Sequence, residues 1–217
     1  MLYSRKMIPL TLTLALALSS VAFASNYDVT QQQVQQEQQQ VIHQLVTKNH
    51  FNRTQLNGLF ESLHPDPKVI HAMTKPFEKQ PWTYYRHFFL TPERIDLGAQ
   101  YLKDHHAVLM QMQHKYGIPA SIITAIIGVE TEYGTHLGIY PVLSTLYTLG
   151  FYYPPRETFF RKEFEQYLIL TRDNHLNAEA IKGSYAGALG IPQFMPSSYR
   201  YFGVSYRSGD PVNLYKK

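Results

Sequence analysis

The chain has 217 residues, 44% hydrophobic and 17% charged, with a formal charge of +4 and no cysteine. Without cysteine there is no disulfide framework and no lipid-modified N-terminal cysteine, so stability has to come from a buried core. The modest positive balance, with no compact Lys/Arg cluster, gives no electrostatic case for nucleic acid, and no such partner is expected.

The N-terminus reads as an export signal. Arg5 and Lys6 form a basic start, residues 8–18 are apolar, and Ala22-Phe23-Ala24 is a small-residue cleavage pattern, so residues 1–24 are expected to be a signal peptide and Ser25 the mature start. The apolar stretch is shorter than the roughly 20 residues of a membrane span and no other segment approaches that length, so no stable membrane anchor is expected. Removing Arg5 and Lys6 lowers the charge to +2, which is compatible with an anionic wall polymer. The 17 tyrosines suit a carbohydrate surface, although aromatic residues more often fill cores.

Residues 31–40 are almost pure glutamine, interrupted by Val34 and Glu37, and run into Val41, Ile42, Leu45 and Val46. The tract reads as a solvated helical lead-in, with a disordered tether as the alternative. Phe51, Leu56, Leu59, Phe60 and Leu63 fit a short amphipathic helix ended by His64-Pro65-Asp66-Pro67, and another short helix is expected over residues 68–73. Residues 25–74 thus form an N-terminal helical segment.

Pro76 and Pro81 break residues 75–82 into an extended connector leading to Tyr84, Tyr85, Arg86, Phe88 and Phe89. Thr91-Pro92-Glu93 begins a helix, with Thr91 as cap and Pro92 in the first position, that continues to Tyr116 and stops at Gly117. Further helices are expected over residues 142–149, 157–170 and 178–182, separated by the loop Tyr152-Tyr153-Pro154-Pro155. Nothing alternates convincingly enough for a large sheet, so the fold is expected to be predominantly α, with little or no sheet.

Between these helices an apolar run, residues 122–129, ends on a carboxylate in Gly128-Val129-Glu130-Thr131-Glu132-Tyr133-Gly134. With Pro119 at the start and Gly134 closing the end, Glu130 falls in the last turn of a largely buried helix. Burial and the partial negative charge of a helix C-terminus both raise a carboxyl pKa, which suits a general acid. On this segment alone, a solvated glutamate without a role is the commoner outcome. Glu132 points about 200° away around the helix and is expected to be solvated, with Glu130 half-buried.

The second motif, Gly183-Ser184-Tyr185-Ala186-Gly187-Ala188-Leu189-Gly190-Ile191-Pro192-Gln193-Phe194-Met195-Pro196-Ser197-Ser198-Tyr199, packs small residues around polar and aromatic ones. It lacks the Lys-Ser/Thr of a phosphate loop. A tight helix crossing explains its glycines but not Gln193. Tyr199, Tyr201 and Phe202 are expected to pack the following helix. The histidines show no metal-ligand spacing, and neither a metal nor a cofactor is expected.

Together with Trp82-Thr83-Tyr84-Tyr85-Arg86 and Tyr153-Pro154-Pro155-Arg156, these motifs resemble the lytic murein transglycosylase B family, glycoside hydrolase family 103, from about Lys75 to Leu214, within a core domain expected over residues 75–217. The resemblance implies a lysozyme-like helical catalytic core that cleaves the β-1,4 bond between N-acetylmuramic acid and N-acetylglucosamine in peptidoglycan strands, leaving 1,6-anhydromuramoyl ends. It also implies a periplasmic location and, as further partners, other cell-wall enzymes. Glu130 is then the single acid/base, Ser184 serves the acetamido region, Gln193 hydrogen-bonds around the acid, and Tyr85, Tyr185 and Arg156 bind glycan or stem peptide. A lysozyme-type hydrolase and a non-catalytic wall-binding remnant are the alternatives.

Three departures accompany the resemblance. Pro155 stands where the family loop often has a first arginine, and Ser205-Tyr206-Arg207-Ser208-Gly209-Asp210-Pro211-Val212-Asn213 has too few acidic oxygens for the calcium loop of some relatives. The sequence ends at Lys217, roughly a hundred residues before relatives of this family end, so an incomplete groove is expected.

Overall fold

The computed structural model describes residues 27–75, 79–206 and 212–215. The expected signal peptide lies outside the described residues, as do residues 207–211 of the segment that stands where some relatives have a calcium loop. The fold is predominantly helical, with one two-stranded sheet among the described residues.

The glutamine tract is helical. Helix α1, Gln31–Asn49, starts with a reciprocal cap in which Thr30 and Gln33 satisfy each other's backbone N–H groups, and Val34, Val41, Ile42 and Leu45 form its buried stripe. Helix α2, Arg53–Ser62, is capped by Asn52, and α3, Pro67–Thr74, by Asp66, so the His64-Pro65-Asp66-Pro67 turn ends one helix and starts the next. The aromatic stretch expected to follow an extended connector is instead helix α4, Trp82–Phe89. β-favouring aromatics concealed a helix that buries no residue of its own and is held through ring contacts.

The single helix expected to run on to Tyr116 is two, α5 (Pro92–Asp104) and α6 (His106–Tyr116). Thr91 and Pro92 begin α5 as expected. The break falls at His105, where no proline or glycine announces it; the ring lies tilted against Tyr101 at 4.2 Å. Helix α7, Ala120–Thr131, carries Glu130, and Pro119 is its cap rather than its first residue.

The core lies elsewhere. Helix α8, Val142–Tyr152, is buried at every position but Ser144. A single 3-10 turn, Pro154–Arg156, leads from it into α9, Glu157–Asp173. Phe60 of α2 meets Phe151 of α8 and Phe164 of α9 edge-on at 5.8 and 5.5 Å, and α1 to α3 close over this aromatic centre. In place of the helix expected over residues 178–182 there is a turn, with Tyr167 Oη donating to Ala178 O, followed by strand β2 (Lys182–Gly183). Strand β1, Tyr140–Pro141, pairs antiparallel with β2, Tyr140 opposite Gly183.

The final helix, α10 (Pro196–Phe202), packs on α9 through Tyr199, which is 2% exposed. Tyr201 and Phe202 face solvent, contrary to the packing role expected of them. The start of α10 is fixed by the buried Glu163 of α9, whose carboxylate accepts from Ser197 N at 2.9 Å and Ser197 Oγ at 2.6 Å.

Phe164→Ala removes the ring shared by three elements and should cost about 3–5 kcal/mol. Urea unfolding should register this as a lower midpoint with an unchanged slope.

Candidate active site

None of the residues in the main hydrophobic cluster comes from α4 to α7. Helix α7 packs on α5 and α6 through Thr124, Gly128 and its neighbours, while Ile122, Ile126 and Val129 are about half exposed. The apolar run is therefore not a buried helix. Residue identity suggested a core element, but no described element covers that face.

The two acids are placed opposite to expectation. Glu130 is exposed. Glu132 is the more enclosed, its side chain 22% exposed, and pairs with Arg94 at 3.1 Å and His136 at 3.0 Å. The helix does not run on to Gly134. It stops at Thr131, and Glu132 and Tyr133 adopt left-handed conformations (φ 48° and 59°) before Gly134 (φ 80°). A non-glycine residue in that region costs roughly 1–2 kcal/mol, and two occur in succession. The helical periodicity that separated the acids ends one residue too early to apply to Glu132.

Packing compensates for this turn. The Tyr133 ring fills the space above Gly98 of α5 and Gly128 of α7, where a Cβ on either glycine would strike it, and its hydroxyl donates to Arg94 O at 3.2 Å. Thr131, 1% exposed, donates to Ile191 O at 2.9 Å and accepts from Gly134 N at 3.1 Å. The residue next to Glu130 is thereby joined to the second motif.

That motif is a loop built by its own polar side chains. Ser184 Oγ accepts from Ala186 N (3.2 Å) and Ala188 N (3.1 Å). With both lone pairs engaged, its hydroxyl hydrogen remains to be donated. Gln193 (φ 51°) donates from Nε2 to Gly190 O at 2.9 Å and Leu137 O at 3.4 Å. Two carbonyl partners fix the amide orientation and commit the nitrogen, so the amide oxygen remains to accept. Gly138 (φ 95°) approaches the Gly183 carbonyl so closely that a Cβ would overlap it, which joins the loop after α7 to the second motif. Tyr185 meets Tyr140 edge-on at 6.4 Å.

Glu130, Ser184, Tyr185 and Gln193 thus lie on segments bound to one another. Tyr85 reaches the same region through rings: it is stacked with Trp82 (6.4 Å) and packed on Phe89 (4.7 Å), and Phe89 underlies the Arg94 guanidinium at 5.3 Å. Arg156 lies in the turn after α8, its guanidinium over Phe159 at 4.3 Å, and no described contact joins it to Glu130. Two cavities of about 450 and 510 Å³ occur near α10, and neither is lined by Glu130.

Partial burial pushes the Glu130 carboxyl above its ordinary value despite the residue's overall exposure, and the nearby helix C-terminus acts in the same direction. Among the described residues, no group of three or more His, Cys, Asp or Glu is placed to hold a metal ion.

Sequence reasoning missed Arg94, Thr131 as an anchor, and Glu163. Arg94 did leave a signal, because a cation in the first turn of a helix and an anion, Glu132, at the end of another both oppose the helix dipole.

A model of the transglycosylase SLT domain matches residues 33–217, and the chain belongs to that family. It is 35% identical over 187 residues to the membrane-bound lytic murein transglycosylase B of Escherichia coli K12, a match covering 82% of this chain and 52% of that protein. The soluble lytic transglycosylase SltB1 of Pseudomonas aeruginosa superposes with a TM-score of 0.77 at 37% identity, over 83% of this chain and 61% of that one. SltB3 of the same organism, in complex with NAG-NAM-pentapeptide, superposes at 0.70 with 28% identity, over 82% and 47%. The chain therefore spans about half the length of the curated relative it matches.

Thr131→Val leaves the buried Ile191 carbonyl without its donor and should cost about 1–3 kcal/mol. Amide exchange should quicken first at residues 131–135 and 189–193, ahead of the α8–α9 core.

Proposed function

We propose that the chain is the catalytic part of a periplasmic lytic transglycosylase that cleaves the MurNAc-GlcNAc bond of peptidoglycan strands. Glu130 is its single acid/base. The observation that carries this reading is the state of the neighbouring carboxylate: Glu132 is tied to Arg94 and His136, so the end of α7 offers one available acid. Retaining and inverting hydrolases use two, one as nucleophile or as the base that activates water. A lone acid suffices when the substrate supplies its own nucleophile.

In this scheme protonated Glu130 gives its proton to the glycosidic oxygen, and the bond from the muramoyl anomeric carbon to that oxygen breaks. The muramoyl 6-hydroxyl oxygen then bonds to the anomeric carbon and its proton returns to Glu130, leaving a 1,6-anhydromuramoyl end and consuming no water. A raised carboxyl pKa keeps the proton available for the first step. The uncommitted hydrogen of Ser184 suits the carbonyl oxygen of an acetamido group, and the free acceptor of Gln193 suits a hydroxyl or the protonated acid.

Tyr85 and Tyr185 offer aromatic faces to sugar rings, and Arg156 a guanidinium to stem-peptide carboxylates. The relatives' names and the SltB3 complex with NAG-NAM-pentapeptide support the substrate class. The export pattern at the N-terminus supports the location. No helix among the described residues is long and apolar enough to cross a membrane.

Purified peptidoglycan digested with the wild type should release anhydromuropeptides by mass spectrometry, and Glu130→Gln should abolish release. Reducing ends instead would identify a hydrolase, and sedimentation with peptidoglycan without soluble products a wall-binding remnant. Because the first step needs the protonated acid, kcat should fall as pH rises through the Glu130 pKa, with the midpoint above the ordinary glutamate value.

A further inference from the structure

We infer that Arg94 is a positioning residue for Glu130, fixing the end of α7 from outside the helix, with the Glu132 carboxylate as its second anchor. The catalytic half of the inference rests on the transglycosylase reading; the structural half does not.

Arg94 reaches from the first turn of α5 across to the last turn of α7. One nitrogen, Nη1, donates to Gly128 O at 3.2 Å, and the other, Nη2, to Glu132 Oε2 at 3.1 Å. Gly128 O is also the acceptor of Glu132 N at 3.0 Å, the bond that closes the helix just after Glu130. A planar fork meeting a carbonyl and a carboxylate at once fixes their relative positions, which a lysine, as a point charge, does less well. The guanidinium cannot easily swing away, since it lies over Phe88 and Phe89 at 5.2 and 5.3 Å and its side chain is only 16% exposed. Its own carbonyl accepts from Tyr133 Oη, so the residue clamps the left-handed turn through both side chain and backbone.

Glu132 is unfavourable where it stands, being left-handed where glycine is preferred and negative at a helix C-terminus where a cation is preferred. The ion pair resolves the contradiction. Glu132 is faced by Arg94 from α5 and by His136 from its own segment. His136, 74% exposed, is the outer member of the group.

The test compares wild type with Arg94→Met, Arg94→Lys and Glu132→Gln by kinetics on purified glycan strands and by amide exchange. Arg94→Met should lower kcat about tenfold or more with KM within about twofold, because a misplaced acid affects the transition state rather than binding. Exchange should quicken at residues 130–135 and not in α8 and α9, and Arg94→Lys should recover part of kcat. Glu132→Gln, which leaves Arg94 a neutral acceptor in place of a carboxylate, should quicken exchange at the same residues, but less than Arg94→Met does.

Wild-type exchange at residues 130–135 in Arg94→Met would overturn the clamp. Quickened exchange with unchanged kcat would overturn the catalytic role, and evenly quickened exchange throughout the chain would reduce Arg94 to general stability. If the wild type itself released no anhydro products, the transglycosylase reading would fail, while the exchange data would still decide the clamp.

Discussion

The position of Glu130 depends on how one helix end is held. Helix α7 has no share in the main apolar cluster, so hydrophobic burial does not locate it as it locates α8 or α9. Its end is pinned by directional bonds from two sides. Thr131 bonds inward to Ile191 of the second motif, and Gly128 and Glu132 bond outward to Arg94 of α5. Hydrogen bonds that are buried or partly charged specify geometry more sharply than apolar contact, because leaving a donor or acceptor unpaired costs more than sliding one methyl past another. Such fixing matters for a group with the acid/base role proposed for Glu130.

The second motif shares the same logic. Its glycines at 187 and 190 occupy left-handed positions, Ser184 and Gln193 supply the internal hydrogen bonds, and β1 and β2 hold the loop after α7 against it. Glu163 and Ser197 then fix where the loop ends and α10 begins. The groups left uncommitted, a serine hydroxyl hydrogen and a glutamine carbonyl oxygen, remain because the loop uses the complementary half of each side chain for itself. Under the proposed function the same two residues serve both the loop and the substrate, so substituting either would alter both.

Much of this was legible from local chemistry. Thr91-Pro92 at the start of α5, the His64-Pro65-Asp66-Pro67 break and the glycine at 117 all follow from rules that act within one turn of helix. What escaped involved partners distant in sequence. The burial of Glu132 depends on Arg94, and the exposure of Ile122 and Ile126 on which helices come to lie beside α7. A hydrophobic run records that a surface is apolar, not whether anything covers it.

The misplaced acids show where such reasoning fails and how it can be repaired. Helical periodicity set Glu130 and Glu132 on different faces by assuming a helix continuing to Gly134, whereas the helix ends at Thr131. Two charges at the wrong ends of two helices, Arg94 at an N-terminus and Glu132 at a C-terminus, each oppose their own dipole. Either alone is a minor local misfit. Found as a pair of opposite sign, they point to a tertiary contact in which each corrects the other, and that contact lies one turn from the candidate acid.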